Sequence, residues 1–230
     1  MLRYTTGKRG DRMTTRSKYE QKLNTIYGEV VGMGNLLIDS LNQIEKIVES
    51  GDPSFLSSVK ENEEKINGLE LTLENQFIEF IATEAPVAHD LRKIVSSIKI
   101  VSHLERIGDY ILHIGKKYAK ISPKHAELFR PRLLRMVHTS IQMLEETLEA
   151  YSLNDVKRAE QAAQLDDEID TEHKLFLKDV FAHISLPGNE NEFARALNLG
   201  RSIERIGDHI TNICEWIVYA EQFRHVELNR

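Results

Sequence analysis

Glu105-Arg106-Ile107-Gly108-Asp109 and Glu204-Arg205-Ile206-Gly207-Asp208 are the same five residues, occurring twice in one chain. Similarity runs outward from both copies at helical spacing. Ile111 matches Ile210, Ile114 matches Ile213, and His103-Leu104 stands where the second copy has Ser202-Ile203. The chain is therefore an internal duplication. A repeat of about one hundred residues is too long for a solenoid unit and suits a duplicated helical hairpin or bundle. The copied element carries two carboxylates at i and i+4, which a helix sets on one face in neighbouring turns.

Composition agrees with helices. Only twelve glycines and five prolines interrupt 230 residues, 29% of them charged, with long stretches rich in Leu, Ile, Glu and Lys; this favours an all-α protein. At 41% hydrophobic the chain can bury a sizeable core. Charge is segregated. Residues 1–18 hold Arg3, Lys8, Arg9, Arg12, Arg16 and Lys18 against Asp11, so within a net charge of -6 the acids concentrate in the remainder. An acidic body argues against nucleic acid as the main partner. The basic tail lacks apolar periodicity and reads as a flexible, solvated extension. No apolar signal region follows its basic residues and no uncharged run reaches membrane-spanning length, so a soluble protein is expected. Cys214, the single cysteine, excludes an intramolecular disulfide, fits a reducing cytoplasm, and falls on the isoleucine side of its helix, as a buried inert thiol would.

Gly51-Asp52-Pro53, Ala85-Pro86, Ser122-Pro123 and Leu186-Pro187-Gly188-Asn189 punctuate the chain, with a weaker break at Leu153-Asn154-Asp155. Six helices follow, near 19–50, 54–84, 87–121, 130–152, 155–185 and 190–223. Pro131 fits the first turn of the fourth, and Ser54 and Asn154 read as N-caps. Short connections make sequence neighbours antiparallel, so each half is expected to be a three-helix bundle. The layout is a tail (1–18), a first repeat (19–121) and a second repeat (122–230).

On a helical wheel, Leu199, Ile203, Ile206, Ile210, Ile213 and Ile217 form a core stripe, and Glu204, Asp208, Thr211, Asn212 and Glu215 a polar stripe roughly opposite. The third helix has Leu104, Ile107, Ile111 and Ile114 against Glu105, Asp109, His113 and Lys116. A second acidic spacing, Asp166 and Asp170 with His173 one turn later, lies on the middle helix of the second half. The first half keeps Glu63 there and has Asn67 in place of the second acid.

If the middle and third helices pack side by side, Asp166 and Asp170 approach Glu204 and Asp208. Like charges gathered in this way repel unless a cation joins them, and an oxygen-rich set with at most one imidazole suits magnesium, manganese, calcium or iron. The competing reading is a solvated helix face on which Arg106 and Arg205 answer the acids as exposed ion pairs. Gly108 and Gly207, unfavourable inside a helix, point to something approaching the backbone closely. Catalysis finds little support: the chain has no phosphate-binding glycine loop, no nucleophile elbow, and no Glu-x-x-His or His-Glu-x-x-His pattern. A surface carboxylate cluster without a concave apolar pocket makes hydrolysis a weak alternative, alongside metal storage.

Arg201-Ser202-Ile203-Glu204-Arg205-Ile206-Gly207-Asp208, followed by Asn212-Ile213-Cys214-Glu215, resembles the PhoU family of phosphate-signalling regulators. Met33-Gly34, Asp90-Leu91-Arg92, Leu104-Glu105-Arg106-Ile107-Gly108-Asp109 and Phe223-Arg224-His225 extend the likeness over residues 19–225. The resemblance implies two tandem three-helix repeats and a cytoplasmic, non-enzymatic negative regulator. Such a regulator links a phosphate ABC importer, through its ATPase subunit, to a sensor histidine kinase. It also implies a homodimer, membrane association only through partners, and a divalent or trivalent metal, iron, manganese, magnesium or zinc, on the acidic motifs. Carried over by position, Asp166, Asp170, Glu204, Asp208 and Glu215 match fully. In the first half Glu63, Glu105 and Asp109 match, but Asn67, His113 and Lys116 depart from the pattern. Arg92 and Lys116 are the candidate partner contacts. An accessory protein of another phosphate transporter is the alternative within the same resemblance.

Overall fold

The computed structural model describes residues 9–183, 190–224 and 226–228, and among them there are helices and turns but no strand. The helices are α1 (Arg9–Ser50), α2 (Leu56–Glu84), α3 (Ala88–Tyr118), α4 (Pro123–Leu153), α5 (Val156–Ala163), α6 (Asp166–His183) and α7 (Glu190–Gln222). Each half is a three-helix bundle, α5 and α6 together replacing one helix of the second.

The two bundles share a long contact. α1 lies against α4, and α3 against α7. Arg92 near the start of α3 covers Phe223 just beyond the end of α7, while Ser122 after α3 donates its N–H to Glu192 in the first turn of α7 at 3.0 Å. These two pairs fix α3 and α7 as antiparallel over their whole length. α1 and α4 run antiparallel too, with His138 beside Glu45 at 3.4 Å and Leu148 seated on Gly34. A Cβ at Gly34 would overlap the Leu148 side chain, so this glycine lets the halves approach. Four helices thus make a central block, with α2 flanking one side and α6 the other.

The isoleucine stripes lie where the wheel puts them: Ile107, Ile111, Ile206, Ile210 and Ile213 are fully buried. Burying such side chains, each worth roughly 1.5–3 kcal/mol, drives the assembly. Cys214 is buried, with its thiol pushed up to about 12 by burial and its sulfur 3.2 Å from the Thr147 hydroxyl. Among the described residues no helix is long and apolar enough to cross a membrane.

Several local expectations need correction. α1 begins at Arg9 rather than near 19, because extending an existing helix costs far less than starting one; residues 1–8 of the basic tail lie outside the described residues. Asp52, not Ser54, is the cap here: its carboxylate accepts from the Ser54 N–H at 2.9 Å and opens the short 3-10 turn Pro53–Phe55 that leads from α1 into α2. Asn154 closes α4 in the left-handed conformation (φ 54°), and Asp155 caps α5 by accepting from the Arg158 N–H at 3.1 Å. α4 starts at Pro123, which leaves Pro131 inside the helix at an exposed position. The expected helix 155–185 is broken at Gln164-Leu165. Leu165 bonds back to Ala162 and Glu168 to Leu165, both at 3.1 Å and both three residues apart, a tightened turn that redirects the chain. The break expected at 186–189 lies outside the described residues.

Candidate functional site

Antiparallel packing of α3 on α7 brings the two pentapeptides side by side at the seam between the halves. His103 and His209 face each other there, Nδ1 to Nδ1 at 3.0 Å, and the Tyr110 ring lies 5.6 Å from that of His209. Burial, and then the charges of Arg106 and Arg205, lower the affinity of His209 for a proton. The two acidic motifs therefore flank a single seam.

In the second half, the turn at Gln164-Leu165 starts α6 with Asp166 directed at α7. Only 4% of Asp166 is exposed, whereas the sequence reading has it in a carboxylate cluster on the surface. Gly207 makes room for it, since a Cβ there would collide with the Asp166 carboxylate. Thr211, expected on the outer stripe, is buried too and donates its hydroxyl to Asp166 Oδ2 at 3.2 Å. Burial first, and then Asp208 and Asp170, push the Asp166 carboxyl up to about 7; Glu204 adds to this and the Thr211 bond opposes it. Glu204 is raised as well, by burial and then by Asp208. Asp166, Asp170, Glu204 and Asp208 are thus one electrostatic group. Arg205 answers part of it, donating to Asp208 at 2.7 Å and standing 3.8 Å from Glu204, and Lys174 lies 3.4 Å from Asp170. His173 faces Gly200. Glu215, on the same stripe two turns beyond Asp208, accepts a bond from the Leu228 N–H at 2.9 Å.

The first half is built differently. Asn67, in the place of Asp170, donates to Glu63 at 3.0 Å. Arg106 stands 3.5 Å from Glu105 and 3.8 Å from Asp109. The Glu105 carboxyl is raised by burial, then by Asp109 and Glu70. Glu70 is itself raised by burial and then by Glu74, with Asp109 contributing. Sequence reasoning missed Glu70; its spacing of seven from Glu63, two turns along one face, was the available signal. His113 and Lys116 are exposed near the far end of α3. Burial, then Lys117 and Lys116, lower the His113 imidazole, so this end carries positive charge.

Arg92 and Lys116 are about 36 Å apart along α3 and belong to no common site. The Arg92 guanidinium lies 3.6 Å from the centre of the Phe223 ring, so its job is to pack the end of α7. Lys116 is exposed.

Among the described residues, no three His, Cys, Asp or Glu side chains stand close enough to hold a metal ion as they are. The second-half donors nevertheless fit a hard cation in kind. They are all carboxylates, burial and then their mutual repulsion raise Asp166, and a cation would relieve the repulsive part. The first-half donors fit poorly, because an amide has replaced one acid and Lys116 takes an acidic position.

The model of the PhoU domain matches residues 30–117 and again 133–217, covering most of both halves. The "Phosphate-specific transport system accessory protein PhoU" of Edwardsiella tarda is 30% identical over 217 residues, which span 92% of this chain and 89% of that protein. The PhoU homologue of Clostridium acetobutylicum is 28% identical over 94% of this chain and 99% of its own length. The crystal structure of the phosphate transport system regulatory protein PhoU from Streptococcus pneumoniae superposes with a TM-score of 0.83 at 25% identity, covering 90% of this chain and 99% of that one. PhoU from Pseudomonas aeruginosa gives 0.81 at 26% identity, covering 90% and 100%. Two domain matches in tandem, on the two halves that the repeated pentapeptide marks, make this chain a member of the PhoU family.

Proposed function

We propose that this chain is an accessory protein of a phosphate transport system. It acts as a negative regulator that links the ATPase subunit of a phosphate ABC importer to a sensor histidine kinase and keeps phosphate-starvation genes off when phosphate is plentiful. The observation that carries the reading is the joining of both acidic pentapeptides at one seam, in a chain whose relatives are named for phosphate-specific transport. The role is regulatory and cytoplasmic, a homodimer is its working form, and membrane contact comes through the partners.

A regulator of this kind must recognise proteins rather than transform a substrate. The seam offers a continuous charged face, acidic around Glu204 and Asp208 and mixed from Glu105 to Lys116, and charge complementarity there sets partner choice and association rate more than affinity. Exposed Lys116 suits such a contact better than Arg92, which is committed to Phe223. A divalent or trivalent metal, if bound, belongs with Asp166, Asp170, Glu204 and Asp208, where it would neutralise the face and change what that face attracts.

The test is capture of the tagged chain from membranes of cells grown in high and in low phosphate, together with a phosphate-starvation reporter. Co-capture of importer ATPase and kinase, with the reporter turned on when the gene is deleted, is expected. A silent reporter with capture of a different phosphate transporter would replace this reading with that of an accessory protein for that carrier.

A further inference from the structure

The start of α1 is a basic arm. The helix is already formed at Arg9, well before Tyr19 packs on Phe80 and bonds Asp90, so about 15 Å of helix precedes that anchor. Along it Arg9, Arg12, Arg16 and Lys18 stand against Asp11, and positions 9, 12 and 16 recur at i, i+3 and i+7, one face of a helix. Arg16, Ser17 and Lys18 are exposed. Arg16 meets Glu20 at 3.0 Å, a surface pair that solvent screens.

The electrostatic complement of the arm lies near the other end of α1. There α1 and α6 both pack on α4 and leave between them an open groove of about 690 Å³, with Leu134 of α4 in its floor. One rim carries Glu45 and Glu49 from α1, the other Glu168 and Glu172 from α6, each pair at i and i+4 and so along one ridge of its helix, with Asp167 beside them. Arg135 meets Glu172 at 3.0 Å and His138 meets Glu45 at 3.4 Å. Glu49, Asp167 and Glu168 have no basic partner among the described residues. Two acidic ridges above a floor that includes an apolar side chain fit a helix with a basic face, whose guanidinium groups bond carboxylates on either side. The chain's own arm cannot be that helix, because Arg12 and Glu45 stand about 50 Å apart along one continuous α1.

We propose that the basic arm of one copy, Arg9 to Lys18, lies in the acidic groove of a second copy between Glu45, Glu49, Glu168 and Glu172. Arm and groove sit at opposite ends of one helix, so two copies laid antiparallel along α1 satisfy both contacts at once and close as a twofold dimer. The opposite signs also fix the register, since any other sliding of two acidic bodies past each other sets like charges together. The contact gives the homodimer of the proposed function a surface, and it stands independently of the phosphate reading.

The purified full chain provides the test, its mass followed by light scattering over a concentration series at low and high salt. Wild type should be dimeric and should dissociate as salt screens the contact. An arm variant, Arg9→Glu with Arg12→Glu, and a groove variant, Glu49→Lys with Glu168→Lys, should each weaken the dimer by about tenfold or more. Mixed in equal amounts, the two variants should pair as tightly as wild type, because every arm then meets a groove of opposite sign; the regained pairing also shows that both are folded. A wild-type chain that stays monomeric, a dimer indifferent to both reversals, or two weakened variants that fail to rescue each other would each overturn the contact. None of these outcomes touches the phosphate reading, which is decided by capture and reporter in cells.

Discussion

His103 Nδ1 and His209 Nδ1 meet at 3.0 Å across the seam between the halves, a distance that requires one imidazole to donate and the other to accept. The bond is lost once the accepting ring is protonated too, because each Nδ1 then carries a hydrogen and the two positive rings repel. Burial, then His209 and Lys99, push His103 down to about 4, and burial, then Arg106 and Arg205, lower His209.

Acid should therefore loosen the seam. Both folded-state affinities lie below the ordinary histidine value of 6.5, so the unfolded chain binds more protons in this range. The stabilisation is fully present above about pH 6.5 and is lost as pH falls toward 4. Asp166 works in the opposite direction, since its raised carboxyl gains a proton on folding. Replacing the pair by the residues at the matching positions, His103→Ser with His209→Tyr, isolates the histidine part. Melting temperature measured between pH 7.5 and 5 should fall less steeply for the double variant than for wild type; identical slopes would show that the imidazoles do not govern the seam.

The two pentapeptide glycines should answer differently to the same substitution. A Cβ on Gly108 meets methyl groups of Ile66 and Leu37 at 3.4 Å, an ordinary contact, whereas one on Gly207 collides with the Asp166 carboxylate. Gly108→Ala should be neutral, or stabilise by up to about 1 kcal/mol through helix propensity. Gly207→Ala should destabilise by roughly 1–3 kcal/mol, the usual range for overpacking. Urea denaturation of both variants makes the comparison; equal losses would mean that the halves are packed alike at this position.

The duplication, the helices and the buried stripes were legible because they rest on periodicity, and Ile107 and Ile206 answered to it alone. What the sequence hid was relative placement. Nothing local states that α3 runs antiparallel to α7, so His103 and His209, more than one hundred residues apart, gave no sign of contact. On sequence Asp166 reads as one member of a surface carboxylate cluster on an unbroken helix 155–185, and only the tightened turn at Gln164-Leu165 drives it under Gly207. Asn154 and Asp155 are both good capping residues; the side chain that faced the free N–H groups of α5 decided between them. The hold of Leu228 on Glu215 has no periodic signal at all.

Removing the charge of Asp166 should stabilise the metal-free protein. A carboxyl raised from 3.8 to about 7 by burial and by its acidic neighbours is ionised at a cost once the pH exceeds that value. Asp166→Asn keeps the shape and the bond from Thr211 while removing the charge. In chelator at pH 8 the gain should be on the order of 1–3 kcal/mol, vanishing below pH 4, where wild-type Asp166 is protonated in both states. Thermal melts at the two pH values provide the check. A variant less stable at pH 8 would mean that the carboxylate is held by stabilising bonds rather than repelled.

Cation binding should be asymmetric between the halves. Asp208 belongs to a group of four carboxylates beside Arg205, and its charge, after burial, helps to raise Asp166, a repulsion that a cation would relieve. Asp109 stands in a group where Asn67 has replaced an acid and already bonds Glu63, and where Lys116 sits two turns on. A multivalent ion gains least where fewer ligands and an ammonium await it. In a manganese titration, Asp208→Ala should weaken binding by about tenfold or more, and Asp109→Ala by no more than about twofold. Adding chelator to the loaded wild type should restore the metal-free melting curve, and should do so equally in Asp109→Ala. Comparable losses from both substitutions would show that the first half binds the ion as well as the second, despite Asn67 and Lys116.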